Sequence, residues 1–140
     1  MRHKISEEDP IGHIPLFANL SADDRAAIHR LMTEVSVEAG EVLATEGSRG
    51  QEFFVIISGS ASVDRGGVHL ADVGPGDFQG EISLLDGGPR TATITATTPM
   101  KLLVATHQEF SSLLDTTPLI ARRMLPALAH RVRAIADDPH

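Results

Sequence analysis

The sequence predicts a mainly β domain, an antiparallel sandwich or barrel, with helices at both ends. Three observations carry this. Short apolar runs recur through the middle of the chain, and eleven of the twelve glycines, between Gly40 and Gly88, punctuate them. Runs of β-prone residues bounded by turn residues read as strands, and their even spacing argues against alternating βα units. The apolar spacing is helical up to about Met32 and again from about Gln108.

The first region opens with polar residues, Met1 to Pro10, expected to be loose. After IPLFANL, Ser21 suits a helix N-cap and Asp24 stands three residues on, as in a capping box. Ala27, Ile28, Leu31 and Met32 then recur at helical spacing. In the middle region the runs EVLAT, EFFVIIS, SASVDR, VHLADV, TATITA and KLLVA are the strand candidates. Gly66-Gly67 between Val63 and Val68 predicts a tight hairpin. Ala92, Ile94 and Ala96 alternate with threonines, the pattern of a half-buried strand. The last region carries a seam of Leu113, Leu114, Leu119, Ile120, Met124, Leu128, Val132 and Ile135. Pro118 should separate two helices, and Pro126 should kink the second or begin a new one. The reading is one domain over 1–140: a helical segment to about 32, a β region over about 33–107, and C-terminal helices over about 108–140.

At 140 residues, 41% apolar and 22% charged, the chain can bury a core without staples. The absence of cysteine removes disulfides and thiolate chemistry. There is no apolar run of about 18 residues and no basic-then-apolar opening, so no membrane segment is expected and the localisation expected is cytoplasmic. A net charge of −7 disfavours binding nucleic acid through its phosphates. It does not disfavour a small anion, because charges more than about 8 Å away are screened at physiological salt.

One stretch, GDFQGEISLLDGGPRTAT from Gly76 to Thr93, isolates two charges of opposite sign. Read as one or two helical turns opening after Gly80, Glu81 to Asp86 presents backbone N–H groups that lack a partner within the helix and can hold an anion. Gly76 and Gly80 let the backbone approach a ligand. Arg90 can fork onto two phosphate oxygens, worth about 1.5–3 kcal/mol. A carboxylate repels phosphate but accepts from a sugar hydroxyl, which is work for Glu81. A phosphate joined to a ribose would use both ends of the loop.

These residues resemble the phosphate-binding cassette of the cyclic nucleotide-binding domain family. QGEISLL and PRTATI match its pattern, roughly F-G-E-x-x-L-L followed by P-R-x-A-x-V. IPLFANLSADD is similar to the family's N-terminal segment, and VEAGEVLATEGSRGQEFFVIISGSASV to its first strands, with Gly40, Glu46, Gly47 and Gly59 in place. The resemblance implies an antiparallel double-stranded β-helix, a jelly-roll-like β-roll, with an N-terminal helix and C-terminal helices. It implies a sensor for cAMP or cGMP with no catalytic residue, no metal and no cofactor beyond the ligand. Glu81 would accept the ribose 2′-hydroxyl and Arg90 would bind the exocyclic phosphate oxygens. The backbone of Ile82, Ser83 and Thr91 would supply N–H groups, helped by Ala92, with Gly80 beside them. Gln79 departs from the family, which commonly has an aromatic or aliphatic residue before the Gly-Glu pair.

Thr91 has two readings. In cGMP-selective kinase domains of the family a threonine after the arginine bonds the guanine 2-amino group, whereas here it is also a β-branched residue suited to a strand. Base selectivity stays open, with cAMP favoured. The helices after the β-roll would rearrange with ligand and cap the base through Met124, Leu125 or Leu128. Only some twenty residues follow Pro118, too few for a DNA-binding module, so the output would be an unidentified protein effector. The apolar seam would also allow a homodimer.

Two other readings compete with this one. A metal-dependent β-roll enzyme needs an H-x-H or similar pair, and none of the seven histidines is so spaced. No G-x-S-x-G nucleophile motif is present either. The other is a degenerate β-roll that binds no nucleotide and serves as a protein interaction module.

Overall fold

The computed structural model describes the backbone over residues 2–4, 14–49, 52–80 and 89–137, with side chains from 14 to 130 within those limits. Nine strands form two antiparallel sheets among the described residues. They are β1 (Arg2–Lys4), β2 (Thr33–Val37), β3 (Val42–Ala44), β4 (Glu52–Ser58), β5 (Ala61–Arg65), β6 (Val68–Val73), β7 (Phe78–Gln79), β8 (Thr93–Ala96) and β9 (Met100–Thr106). One sheet has the order β1-β2-β9-β4-β7 and the other β3-β8-β5-β6. Three α-helices among the described residues flank them: α1 (Ala22–Leu31), α2 (His107–Thr116) and α3 (Pro118–Asp137), with a 3-10 turn at Pro15–Phe17.

The unbroken apolar run of β4 has a physical reason. A strand covered on one face alternates apolar and polar, whereas a strand covered on both reads as continuous apolar sequence. Phe53 and Val55 lie opposite Ala105 and Leu103 of β9, and all four join the core packed by the helices. Phe54 and Ile56 lie opposite Val104 and Leu102, and these four join the core between the two sheets. The five-stranded sheet is thus a shared wall. Ala61, Ile94 and Ala96 close the inter-sheet core from the other side. β6, at the far edge, is exposed almost throughout.

The helix layer is fixed by caps and by aromatic stacking. Ser21 accepts the Asp24 N–H at 3.1 Å, as its N-cap position requires. Thr106 and Glu109 form a complete capping box at the start of α2. Phe110 of α2 stacks on Phe53 with ring centroids 4.5 Å apart, and Phe53 meets Phe78 of β7 at 5.9 Å. A line of three rings therefore joins the strand that opens the cassette to the C-terminal helices. Arg123 of α3 donates to the Leu16 carbonyl at 3.1 Å, so the N-terminal turn is tied to the same layer.

Three expectations need correction. The opening residues are not loose throughout: Arg2–Lys4 pairs antiparallel with β2, using backbone groups at a sheet edge. The other residues of that stretch lie outside the described ones. β2 itself was not among the expected runs. Lastly, of the two outcomes expected at Pro126, a kink or a new helix, the second is overturned: α3 continues through it. The proline forfeits one bond, to the Arg122 carbonyl, and the turns on either side keep the helix going. Pro118 does separate α2 from α3.

Phe53→Ala should cost about 3–5 kcal/mol, because it removes a fully buried ring that both neighbouring phenylalanines touch. Urea denaturation measures it, and a loss below about 1 kcal/mol would contradict the ring line as a structural spine.

Candidate functional site

The residues just before β8 are held in place by backbone bonds to the loop after β3. The Arg90 N–H donates to the Ser48 carbonyl at 2.7 Å, and the Gly47 N–H donates to the Arg90 carbonyl at 2.9 Å. Arg49 and Pro89 form a further bridge, and the Glu46 N–H donates to Thr93 Oγ1 at 3.0 Å. With its backbone so anchored, Arg90 turns its side chain inward, leaving 9% exposed. One terminal nitrogen, Nη2, donates to the Glu52 carbonyl at 2.7 Å. The other, Nη1, is buried and has no hydrogen-bond partner among the described residues.

Burial lowers the Arg90 pKa from its ordinary value, and the Glu52 carboxylate opposes that shift. A guanidinium remains cationic all the same. The site therefore holds a buried cation with unspent donor capacity, a costly arrangement that an anion would relieve.

Pairing of β7 with β4, Phe54 opposite Gln79 and Val55 opposite Phe78, brings Gly80 against this guanidinium. A Cβ at Gly80 would collide with Arg90 Nη1 and lie 2.5 Å from the Glu52 carbonyl oxygen, and its φ of +95° is one that side chains rarely adopt. Glycine at this position is thus a condition of the arginine's placement. Gln79 itself pairs with Phe54 and is half-buried. The aromatic of this cassette is Phe78, one residue earlier, and it is buried against Phe53.

Among the expected ligand contacts, Gly80, Arg90, Thr91 and Ala92 come together at the two ends of the cassette. Glu81, Ile82 and Ser83, and the helical turn expected after Gly80, lie outside the described residues. Thr91 is exposed and Ala92 buried. A cleft of about 800 Å³ opens beside Arg90, walled by Leu43 and Ala44 of β3, by Glu52, and by Thr106 and His107 at the start of α2. Of the expected lid residues, Met124 is committed to the helix-side core and Leu128 packs on its edge, while Leu125 is 60% exposed. No group of three or more His, Cys, Asp or Glu among the described residues is placed to hold a metal.

The chain matches the cyclic nucleotide-binding domain over residues 34–117 and belongs to that family, a regulatory and not a catalytic one. It is 32% identical over 131 residues to the cAMP-dependent protein kinase regulatory subunit of Eremothecium gossypii, covering 93% of this chain and 29% of the subunit. It thus spans less than a third of that relative's length. Among solved structures, the N-terminal domain of a transcriptional regulator from Streptomyces coelicolor superposes with TM-score 0.67 at 36% identity, covering 92% of this chain and 94% of that one. The PKAR CBD2 domain with bound Sp-2Cl-cAMPS superposes with TM-score 0.77 at 25% identity, covering 94% and 90%. No described helix is long and apolar enough to cross a membrane.

Residue spacing did not reveal the groups that hold Arg90. Its carbonyl partner Glu52 is 38 residues away in sequence, and the Thr45–Ser48 loop is also remote. The hints were Gly47, whose position matched the family, and Gly80, read as letting the backbone approach a ligand.

Gly80→Ala should destabilise the domain by about 1–3 kcal/mol, through the left-handed backbone and the collision with Arg90. Thermal or chemical denaturation measures this. A variant as stable as wild type would contradict the close approach.

Proposed function

We propose that the domain binds a cyclic 3′,5′-nucleotide through the cassette and signals its presence through the C-terminal helices. The observation that carries this reading is the buried Arg90 guanidinium, with Nη2 held by the Glu52 carbonyl and Nη1 unpartnered among the described residues, beside a cleft. In this reading Nη1 takes an exocyclic phosphate oxygen, and the N–H groups of Ile82, Ser83, Thr91 and Ala92 surround the others. Gly80 lets the chain pass close to the phosphate. Glu81 accepts the ribose 2′-hydroxyl, and the apolar wall of the cleft at Leu43 and Ala44 offers the base a dry surface. The ligand is cAMP by preference, in keeping with relatives that are regulatory subunits of cAMP-dependent kinases. The exposed Thr91 hydroxyl is the feature that would favour cGMP instead.

The output follows from the ring line. Ligand that draws in the cassette acts on Phe78, and through Phe53 on Phe110 at the base of α2. Ligand then shifts the population of α2 and α3 arrangements to the extent that it binds one of them more tightly. Of the three expected lid residues, Leu125 is the exposed one and the candidate to close over the base. The receiver is a protein effector.

Calorimetric titration of cAMP and cGMP into ligand-stripped protein tests the reading, beside Arg90→Ala and Glu81→Ala. Saturable binding should weaken by about 10- to 100-fold in Arg90→Ala, the value of a charge-assisted hydrogen bond. Glu81→Ala should weaken it as well. The ratio of the two wild-type affinities reports the role of Thr91. No heat and no thermal shift with either nucleotide would replace this reading with the interaction module.

A further inference from the structure

The two peptide groups that flank Thr91 are anchored differently. In the peptide before it, the Arg90 carbonyl accepts from the Gly47 backbone N–H. In the peptide after it, the Thr91 carbonyl accepts from the side chain of Arg65, whose Nε–H reaches it at 3.0 Å. A trans peptide points its C=O and N–H in opposite directions, and no peptide bond among the described residues is cis. Holding the Arg90 carbonyl at Gly47 therefore aims the Thr91 N–H away from the Thr45–Ser48 loop. Holding the Thr91 carbonyl at Arg65 likewise aims the Ala92 N–H away from Arg65.

Arg65 is itself placed by several contacts. It ends β5 at the two-residue turn Gly66-Gly67, where both φ values are positive, 59° and 79°, as a tight hairpin of the right twist requires. The Gly66 N–H donates to the Glu46 carboxylate at 2.8 Å, and the Glu46 N–H donates to Thr93 Oγ1. Glu46 thus ties the hairpin, the loop after β3 and the start of β8 into one unit. The guanidinium that reaches Thr91 stands on a braced support.

We infer that Arg65 is a positioning residue for the phosphate arm of the site: it orients and polarises the Thr91–Ala92 peptide so that the Ala92 N–H is offered to an exocyclic phosphate oxygen. The inference rests on the cyclic nucleotide reading above and adds to it a residue outside the cassette. A cation on a carbonyl draws charge along the peptide and strengthens its N–H as a donor. Arg65 is exposed, and an exposed contact of this kind adds little to fold stability. The expected signature is a loss of affinity with an unchanged thermal midpoint.

The experiment compares wild type, Arg65→Ala and Arg65→Lys by calorimetry with cAMP and with its two phosphorothioate diastereomers. Each diastereomer replaces one exocyclic oxygen by sulfur, a poorer acceptor. Arg65→Ala should bind cAMP about five- to tenfold more weakly. Its discrimination between the diastereomers should move towards one, because one oxygen has lost its aligned donor. Arg65→Lys, which keeps the charge on a different geometry, should fall between. Wild-type affinity and discrimination in Arg65→Ala would overturn the inference while leaving the binding reading intact. A loss shared equally by both diastereomers with a lowered thermal midpoint would also overturn it, since that is general loosening. Wild type silent to all three ligands would overturn the binding reading, and the inference with it.

Discussion

Arg90 joins the charge, the fold and the cleft. Its guanidinium is taken out of water, bonded through Nη2 to a single carbonyl, and left with Nη1 unmatched among the described residues. Holding a cation this way requires support from three directions. The loop after β3 fixes its backbone, β4 supplies the acceptor at Glu52, and β7 delivers a residue without a Cβ where the guanidinium passes. Each support comes from a different part of the β-roll. The arginine's position is thus a property of the closed fold, not of its own segment.

The five-stranded sheet connects the site to the helix layer. Because β4 and β9 are buried on both faces, the inter-sheet core and the helix-side core share their backbone. The cassette opens from β7 on one edge of this wall, and α2 follows directly from β9 in its interior. Phe78, Phe53 and Phe110 bridge the same wall with side chains. Interiors packed in this way shift between discrete arrangements and do not deform continuously, which is what a sensor needs from the elements around its ligand.

Much of this was legible in the sequence, and the failures have physical causes. The run EFFVIIS coincides with β4 and VHLADV with β6, because β-branched and aromatic residues between glycine turns leave little alternative. The alternation of Ala92, Ile94 and Ala96 with threonines gave the inward face of β8, and the three alanine and isoleucine side chains are buried. β2 escaped because Val35 and Val37 alternate with polar residues over only five positions, directly after a helix. Arg2–Lys4 escaped because pairing at a sheet edge uses the backbone and leaves no side-chain pattern. Within the site, Arg90 and Gly80 stood out in the sequence and meet in the structure, whereas Glu81 lies outside the described residues. The partners of Arg90 were not legible, since Glu52 and Ser48 meet it only after the roll closes.

Arg90 is the residue proposed to receive the phosphate. Side-chain nitrogen–proton NMR of the arginines, followed as cAMP is added to ligand-stripped protein, tests this most directly. The Arg90 terminal N–H signals should shift and slow their rotation as Nη1 gains its partner, in step with a change in the ligand's phosphorus resonance. Ligand that binds while the Arg90 signals stay where they were would place the phosphate elsewhere and contradict the account.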